Sequence, residues 1–128
     1  MIEKGIKNSV KIKVTESDTA KQAGSGDLEV FSTPKMVALM EEASYKCIAP
    51  YLEEGSSSVG TLMNVKHLCA TPVGMEVTAE CEVIEVDGRR VVFSVRAYDE
   101  KGLIGEGTHE RFIVYKDKFV AKTYAKLG

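Results

Sequence analysis

Proton transfer near neutral pH needs a group that titrates there, and this sequence holds only two histidines, His67 and His109. His67 shares one face with Met63 and Val65 in a stretch that alternates like a strand, so its imidazole is expected to be largely dehydrated and in need of a partner. Two readings stay open for it: a buried ring satisfied by a backbone carbonyl, and an acid–base group. His109 stands in Gly105-Glu106-Gly107-Thr108-His109-Glu110-Arg111, where charges on both faces predict a solvated or interface stretch and a structural or surface role. Glu41 and Glu42 are adjacent, and at about 100° per helical residue they cannot serve one face. Glu42 is expected in solvent. Glu41 borders an apolar stripe at Met40 and Ser44, a position that suits a plain surface carboxylate but also a general base or nucleophile. Thr33 has a ready role as a helix N-cap before Pro34, and its hydroxyl is also a possible substrate ligand.

Other chemistries lack their patterns. The stretch Gly55 to Gly60 contains neither GxxxxGK[ST] nor GxGxxG, and Ser56, Ser57 and Ser58 have no nucleophile-elbow context. No HxH or HxxxH spacing encourages metal ligation, so neither a metal nor another cofactor is expected. Cys47, Cys69 and Cys81 lack paired close spacings and are expected to be buried, reduced thiols.

The elements that must position these residues follow from periodicity. Val10, Ile12 and Val14 alternate with Lys11, Lys13 and Thr15, predicting a first strand over 9–16 with one wet face. Residues 17–28, polar and carrying Gly24, Ser25 and Gly26, read as a mobile loop. Thr33-Pro34 then opens a helix expected over 34–49. Its stripe is Met36, Val37, Met40, Ala43, Ser44, Cys47 and Ile48, and Pro50 ends it. After a Ser-rich loop, strands are expected over 60–68, 75–86, 90–98 and 103–115, with Asp87-Gly88 as a hairpin signal. The tail from Lys116 is expected to add a short strand or stay loose, its lysines solvated. One helix and four or five antiparallel strands, the later ones in a meander, give an α+β fold in which a curved sheet wraps around a single long helix.

Size and charge bound the function. A chain of 128 residues suits one domain spanning 1–128, and 17 Lys+Arg against 19 Asp+Glu offer no field for nucleic acid. No apolar run approaches the roughly 20 residues that span a bilayer, and no signal-peptide core is present, so a cytoplasmic protein without membrane or nucleic-acid partners is expected.

The blocks from Val30 to Glu41, Ala49-Pro50-Tyr51-Leu52-Glu53, Gly60-Thr61, Val65-Lys66-His67 with Ala70-Thr71-Pro72, and Gly107-Thr108-His109-Glu110-Arg111 together resemble the hotdog-fold acyl-CoA thioesterases of the fluoroacetyl-CoA thioesterase type. The resemblance covers nearly everything after Glu29. It implies a hotdog fold, hydrolysis of a small acyl-CoA, and a catalytic set falling on Thr33, Glu41 and His67, with Gly60 and Arg111 as substrate-binding residues. It also implies a homodimer with interface sites. The helix rises about 12 Å between Thr33 and Glu41, which prevents a direct bond between them and favours a site shared across that interface. The similar enzymes carry aromatic side chains in a lid before the helix, where this sequence has Gly24-Ser25-Gly26-Asp27. That departure touches the gating of the acyl group and leaves the catalytic blocks intact. Two other activities fit the same fold, a non-catalytic acyl-CoA binding module and a hydroxyacyl-thioester dehydratase.

Overall fold

The computed structural model describes residues 1–128. Its elements are β1 (Lys7–Lys13), the one-turn helix α1 (Ala20–Ala23), the long helix α2 (Thr33–Ile48), and the strands β2 (Ser56–His67), β3 (Glu76–Asp87), β4 (Arg90–Asp99) and β5 (Gly102–Tyr115). Helix α3 (Lys116–Tyr124) closes the chain. The five strands form one antiparallel sheet in the order β1-β3-β4-β5-β2. The expected meander is therefore real only for β3, β4 and β5. β2 does not lie beside β3: the connection after His67 carries the chain across to the other side of the sheet, and β2 pairs with β5 alone.

Helix α2 packs on the inner face of this sheet. Met36, Leu39, Met40, Ala43, Cys47 and Ile48 are buried against Val77, Ala79, Cys81 and Val83 of β3 and Val91, Phe93, Val95 and Ala97 of β4. Leu39 joins the stripe although its position was not counted in it. Truncating one such core side chain to Ala costs about 2–5 kcal/mol. On the β5 side, a Cβ at Gly105 would stand 2.6 Å from Met36 Sδ, so only glycine lets the first turns of α2 sit this close to the strand.

Local differences from the sequence reading have local causes. The cap of α2 is Ser32, whose side chain accepts from Lys35 N–H, and the helix starts at Thr33 with Pro34 in its first turn. The stretch 17–28 is not a loose loop at its start. Asp18 is buried, accepts from both Thr15 N–H and the Thr15 hydroxyl, and lies 3.4 Å from Lys35 Nζ, while α1 follows directly. Burial alone would raise the Asp18 pKa, but those bonds outweigh it and hold the carboxyl below its ordinary value. The Ser-rich stretch is the first turn of pairing in β2, with Ser56 opposite Tyr115. The tail forms a helix whose residues are all exposed, Lys116, Lys118 and Lys122 among them. Cys47 and Cys81 are buried as expected, and burial beside Cys47 pushes the Cys81 thiol up to about 12. Cys69 is exposed, because it follows the end of β2 in the crossover.

One irregularity decides which side chains meet. Between Gly60 and Leu62 the pairing of β2 with β5 shifts by one residue, so that Gly60 faces Arg111 and Leu62 faces Glu110, with Thr61 left over. Strict alternation would place Gly60 on the face of Leu62, Asn64 and Lys66. The bulge turns Gly60 and Ser58 to the inner face, together with Met63, Val65 and His67.

Candidate active site

Two clusters lie along α2. At its first turn, Thr33 Oγ1 and His67 Nδ1 are 2.7 Å apart. Because Ser32 serves as the cap, the Thr33 hydroxyl is released from the role its sequence position suggested. Phe31, fully buried, meets the His67 ring edge-on at 6.4 Å between centroids. His67 Nε2 is enclosed and has no hydrogen-bond partner. Burial pulls the His67 pKa below its ordinary value, with the Cys69 backbone acting weakly the other way, so the ring is neutral near pH 7. Thr33 and His67 line a cavity of about 300 Å³ with Ala20, Ser25, Val30 and Phe31. Its walls are mostly apolar, and the lid stretch Gly24-Ser25-Gly26-Asp27 is exposed and brings no aromatic ring to it.

Two turns along the helix, Glu41 looks onto Gly60. A Cβ at Gly60 would stand 2.8 Å from Glu41 Oε2, 3.2 Å from His109 Cε1 and 3.5 Å from Arg111 Nη1. The missing side chain leaves a small hollow bounded by a carboxylate, an imidazole and a guanidinium. Arg111 is 6% exposed, donates from Nε to Ser58 Oγ at 2.8 Å and from Nη2 to the Ser58 carbonyl at 3.0 Å, and lies over the Tyr45 ring at 5.8 Å. Burial disfavours its charge, whereas Glu41 and Tyr45 favour it. A buried guanidinium in a protein keeps its proton, so this corner of the hollow is cationic.

The structure thus brings together Glu41, Gly60 and Arg111, and separately Thr33 and His67. It does not bring the two groups into contact within one chain, as the helical rise required. His109, expected in a solvated stretch, is instead 1% exposed and part of the hollow's wall. Its neighbours Glu106 and Glu110 turn to the other face of β5, which the period of two along Glu106, Thr108 and Glu110 would have revealed had the charges been assigned to a single face. No group of three or more His, Cys, Asp or Glu is placed to hold a metal ion. No helix is long and apolar enough to cross a membrane.

The five-stranded antiparallel sheet around one long helix is the hotdog fold, and the chain superposes on hotdog-fold thioesterase structures. More narrowly, the chain belongs to the family of fluoroacetyl-CoA-specific thioesterases, whose profile matches residues 14–117. A fluoroacetyl-CoA thioesterase of Streptantibioticus cattleyicolor is 48% identical over 98 residues, covering 77% of this chain and 70% of that protein. The crystal structure of the fluoroacetyl-CoA thioesterase FlK superposes with a TM-score of 0.93 at 38% identity over 98% of both chains. A thioesterase superfamily member from Thermus thermophilus superposes with a TM-score of 0.90 at 34% identity, over 99% of this chain and 93% of its own.

Proposed function

We propose that this thioesterase hydrolyses small acyl-CoA thioesters to the free acid and coenzyme A, with Thr33, Glu41 and His67 as its catalytic residues and Gly60 and Arg111 holding the substrate. The observation that supports the assignment best is the Gly60 hollow, a gap too narrow for a methyl group, with a carboxylate on one wall and a buried cation on another. A thioester carbonyl placed there meets Glu41, which takes the proton of an attacking water or attacks the carbonyl carbon itself. The Arg111 cation lowers the energy of the oxygen as it gains charge. Collapse of the tetrahedral centre breaks the C–S bond, and the departing thiolate takes a proton. His67, oriented by Thr33, handles that proton. The two routes for Glu41 separate in a single-turnover reaction in ¹⁸O-water: the general-base route puts the label in the product acid alone, whereas an anhydride opened by water at the glutamyl carbonyl leaves it in the Glu41 carboxylate.

The second subunit completes the site in this reading. The outer edge of β2 pairs with nothing in the chain, and an isologous pairing of two such edges centred near Asn64 lays the partner subunit's His67 beside Gly60. The bulge matters here, since it puts Gly60 on the face from which His67 projects. Mixing Glu41→Gln and His67→Ala proteins, each with about 1% of wild-type activity or less, tests this. Subunit exchange creates one intact site in the mixed dimers and restores about one quarter of wild-type activity, whereas sites built within single chains restore none.

For the acyl group we propose acetyl-sized and somewhat larger chains without selectivity for fluorine. A variant of the related fluoroacetyl-CoA thioesterase has been solved with acetyl-CoA, and here the stretch Gly24-Ser25-Gly26-Asp27 contributes only Ser25 to the cavity beside Thr33. Thiol release measured across acetyl-, fluoroacetyl-, butyryl- and isobutyryl-CoA checks the point: a preference for fluoroacetyl-CoA above about 100-fold would overturn it.

A further inference from the structure

The proposed mechanism leaves one buried titratable ring without a task. His109 uses both of its nitrogens: Nδ1 lies 2.8 Å from the Leu62 carbonyl and Nε2 lies 3.2 Å from Arg111 Nη1. Both contacts assign the tautomer. A carbonyl can only accept and a guanidinium can only donate, so Nδ1 carries the proton and Nε2 is a bare acceptor. Phe93 stacks beside the ring, 5.9 Å between centroids with 26° between planes. The Leu62 carbonyl that anchors Nδ1 belongs to the same bulge that turns Gly60 inward.

The donors of Arg111 can then be counted. Of five N–H groups, Nε–H and one on Nη2 go to Ser58, and one on Nη1 goes to His109. Nη1 also borders the Gly60 hollow. Ser58 grips only one edge of the planar guanidinium. His109 grips the opposite nitrogen, and with that third contact the plane cannot swing.

We propose that His109 is a positioning residue, which occupies one Nη1 proton of Arg111 and thereby aims the other N–H into the Gly60 hollow. This rests on the reading of that hollow as the place where the thioester is opened. It assigns His109 no proton transfer, and toward the hollow the ring presents only its Cε1 edge.

Three substitutions test it, because they remove the two ring nitrogens separately. His109→Gln can place an amide oxygen near the former Nε2, His109→Asn keeps a donor near the former Nδ1 but has no reach to Arg111, and His109→Phe keeps only the shape. The expected result is a kcat within about 3-fold of wild type for the Gln protein. The Asn and Phe proteins should lose about 10- to 100-fold in kcat at nearly unchanged KM, the size expected for an orienting partner. Nitrogen-15 NMR of the Arg111 side chain reads the positioning directly: rotation about the Cζ–Nη bonds is slow in wild type and the Gln protein and faster in the Asn and Phe proteins. Wild-type kcat with unchanged rotation in the Asn and Phe proteins overturns the proposal. So does a loss of activity that the Gln protein shares in full while Arg111 rotation stays slow, the behaviour of a merely structural ring. Should Glu41→Gln remain active, the reading of the hollow fails, and the Arg111 rotation still decides whether His109 holds it.

Discussion

At the first turn of α2 an exposed threonine holds a half-buried histidine through a single hydrogen bond, and the other ring nitrogen has no partner at all. Two turns on, the rings and the cation around Gly60 are held by several partners: Arg111 by Ser58 and His109, and His109 by the Leu62 carbonyl, with the guanidinium charge favoured by Glu41. Both regions sit between the same helix and the same strand. They differ in how many partners hold each group, and the enclosed Nε2 of His67 has none, an arrangement that costs about 1–3 kcal/mol. The inner cluster is therefore preorganised within one chain. The outer pair is held by the single Thr33–His67 bond.

The most severe test of this contrast is Glu41→Gln, which removes the only carboxylate at the hollow. Thiol release should fall by about 10³-fold or more with the thermal midpoint within a few degrees of wild type. Next in size, His67→Ala should lose about 10²-fold in kcat, while Thr33→Val, which only frees the ring to rotate, should lose about 10-fold. If the Thr33 change matches the Glu41 change, the outer pair is not the looser, orienting part and the contrast fails.

Gly60→Ala sharpens the description of the hollow. The added methyl meets the far end of the Glu41 side chain, which can swing aside, so the fold should survive while kcat drops about 10-fold. An unchanged kcat would mean that the hollow is not occupied during the reaction.

The smallest effect is in acid. His67 and His109 both have pKa values below their ordinary 6.5, burial being the chief cause in each. Arg111 adds to the depression at His109, against Glu41, Glu110 and the Leu62 carbonyl. Above 6.5 neither folded nor unfolded chain binds these protons and the histidines do not affect stability. As the pH falls below 6.5 the unfolded chain takes them up first, so stability declines toward the folded-state values. Midpoints of urea unfolding between pH 7.5 and 5.5 should fall, and the decline should shrink more in His109→Gln than in His67→Gln, since His109 is the more deeply buried ring.

Much of this was legible without coordinates. The long helix was expected within one residue of its span, because Pro34 and Pro50 bracket a stripe of the right period, and the five strands were expected in order. The facing of Met63, Val65 and His67 also held. Three features that bear on the site escaped. Ser32 and Thr33 are both good caps, and which of them accepts from the backbone depends on where His67 stands. His109 looked wet because its flanking glutamates lie on the opposite face of β5. The order of β2 in the sheet could not be read either, since alternation tells which residues share a face and not which strand lies beside them.

What followed from the chain's own pattern was the inventory: one amphipathic helix, alternating strands, two histidines, and a threonine, a glutamate and a histidine at spacings that resemble a thioesterase set. Those are local properties, set by the periods of 3.6 and 2 that every helix and strand obeys. What only the folded molecule decided was the pairing of groups far apart in sequence. One extra residue between Gly60 and Leu62 exchanges the two faces of β2 upstream of it, and with them the choice of Gly60 over its neighbours to meet Glu41, Arg111 and His109. A bulge is a property of two strands in register, so it exists only once β5 lies beside β2.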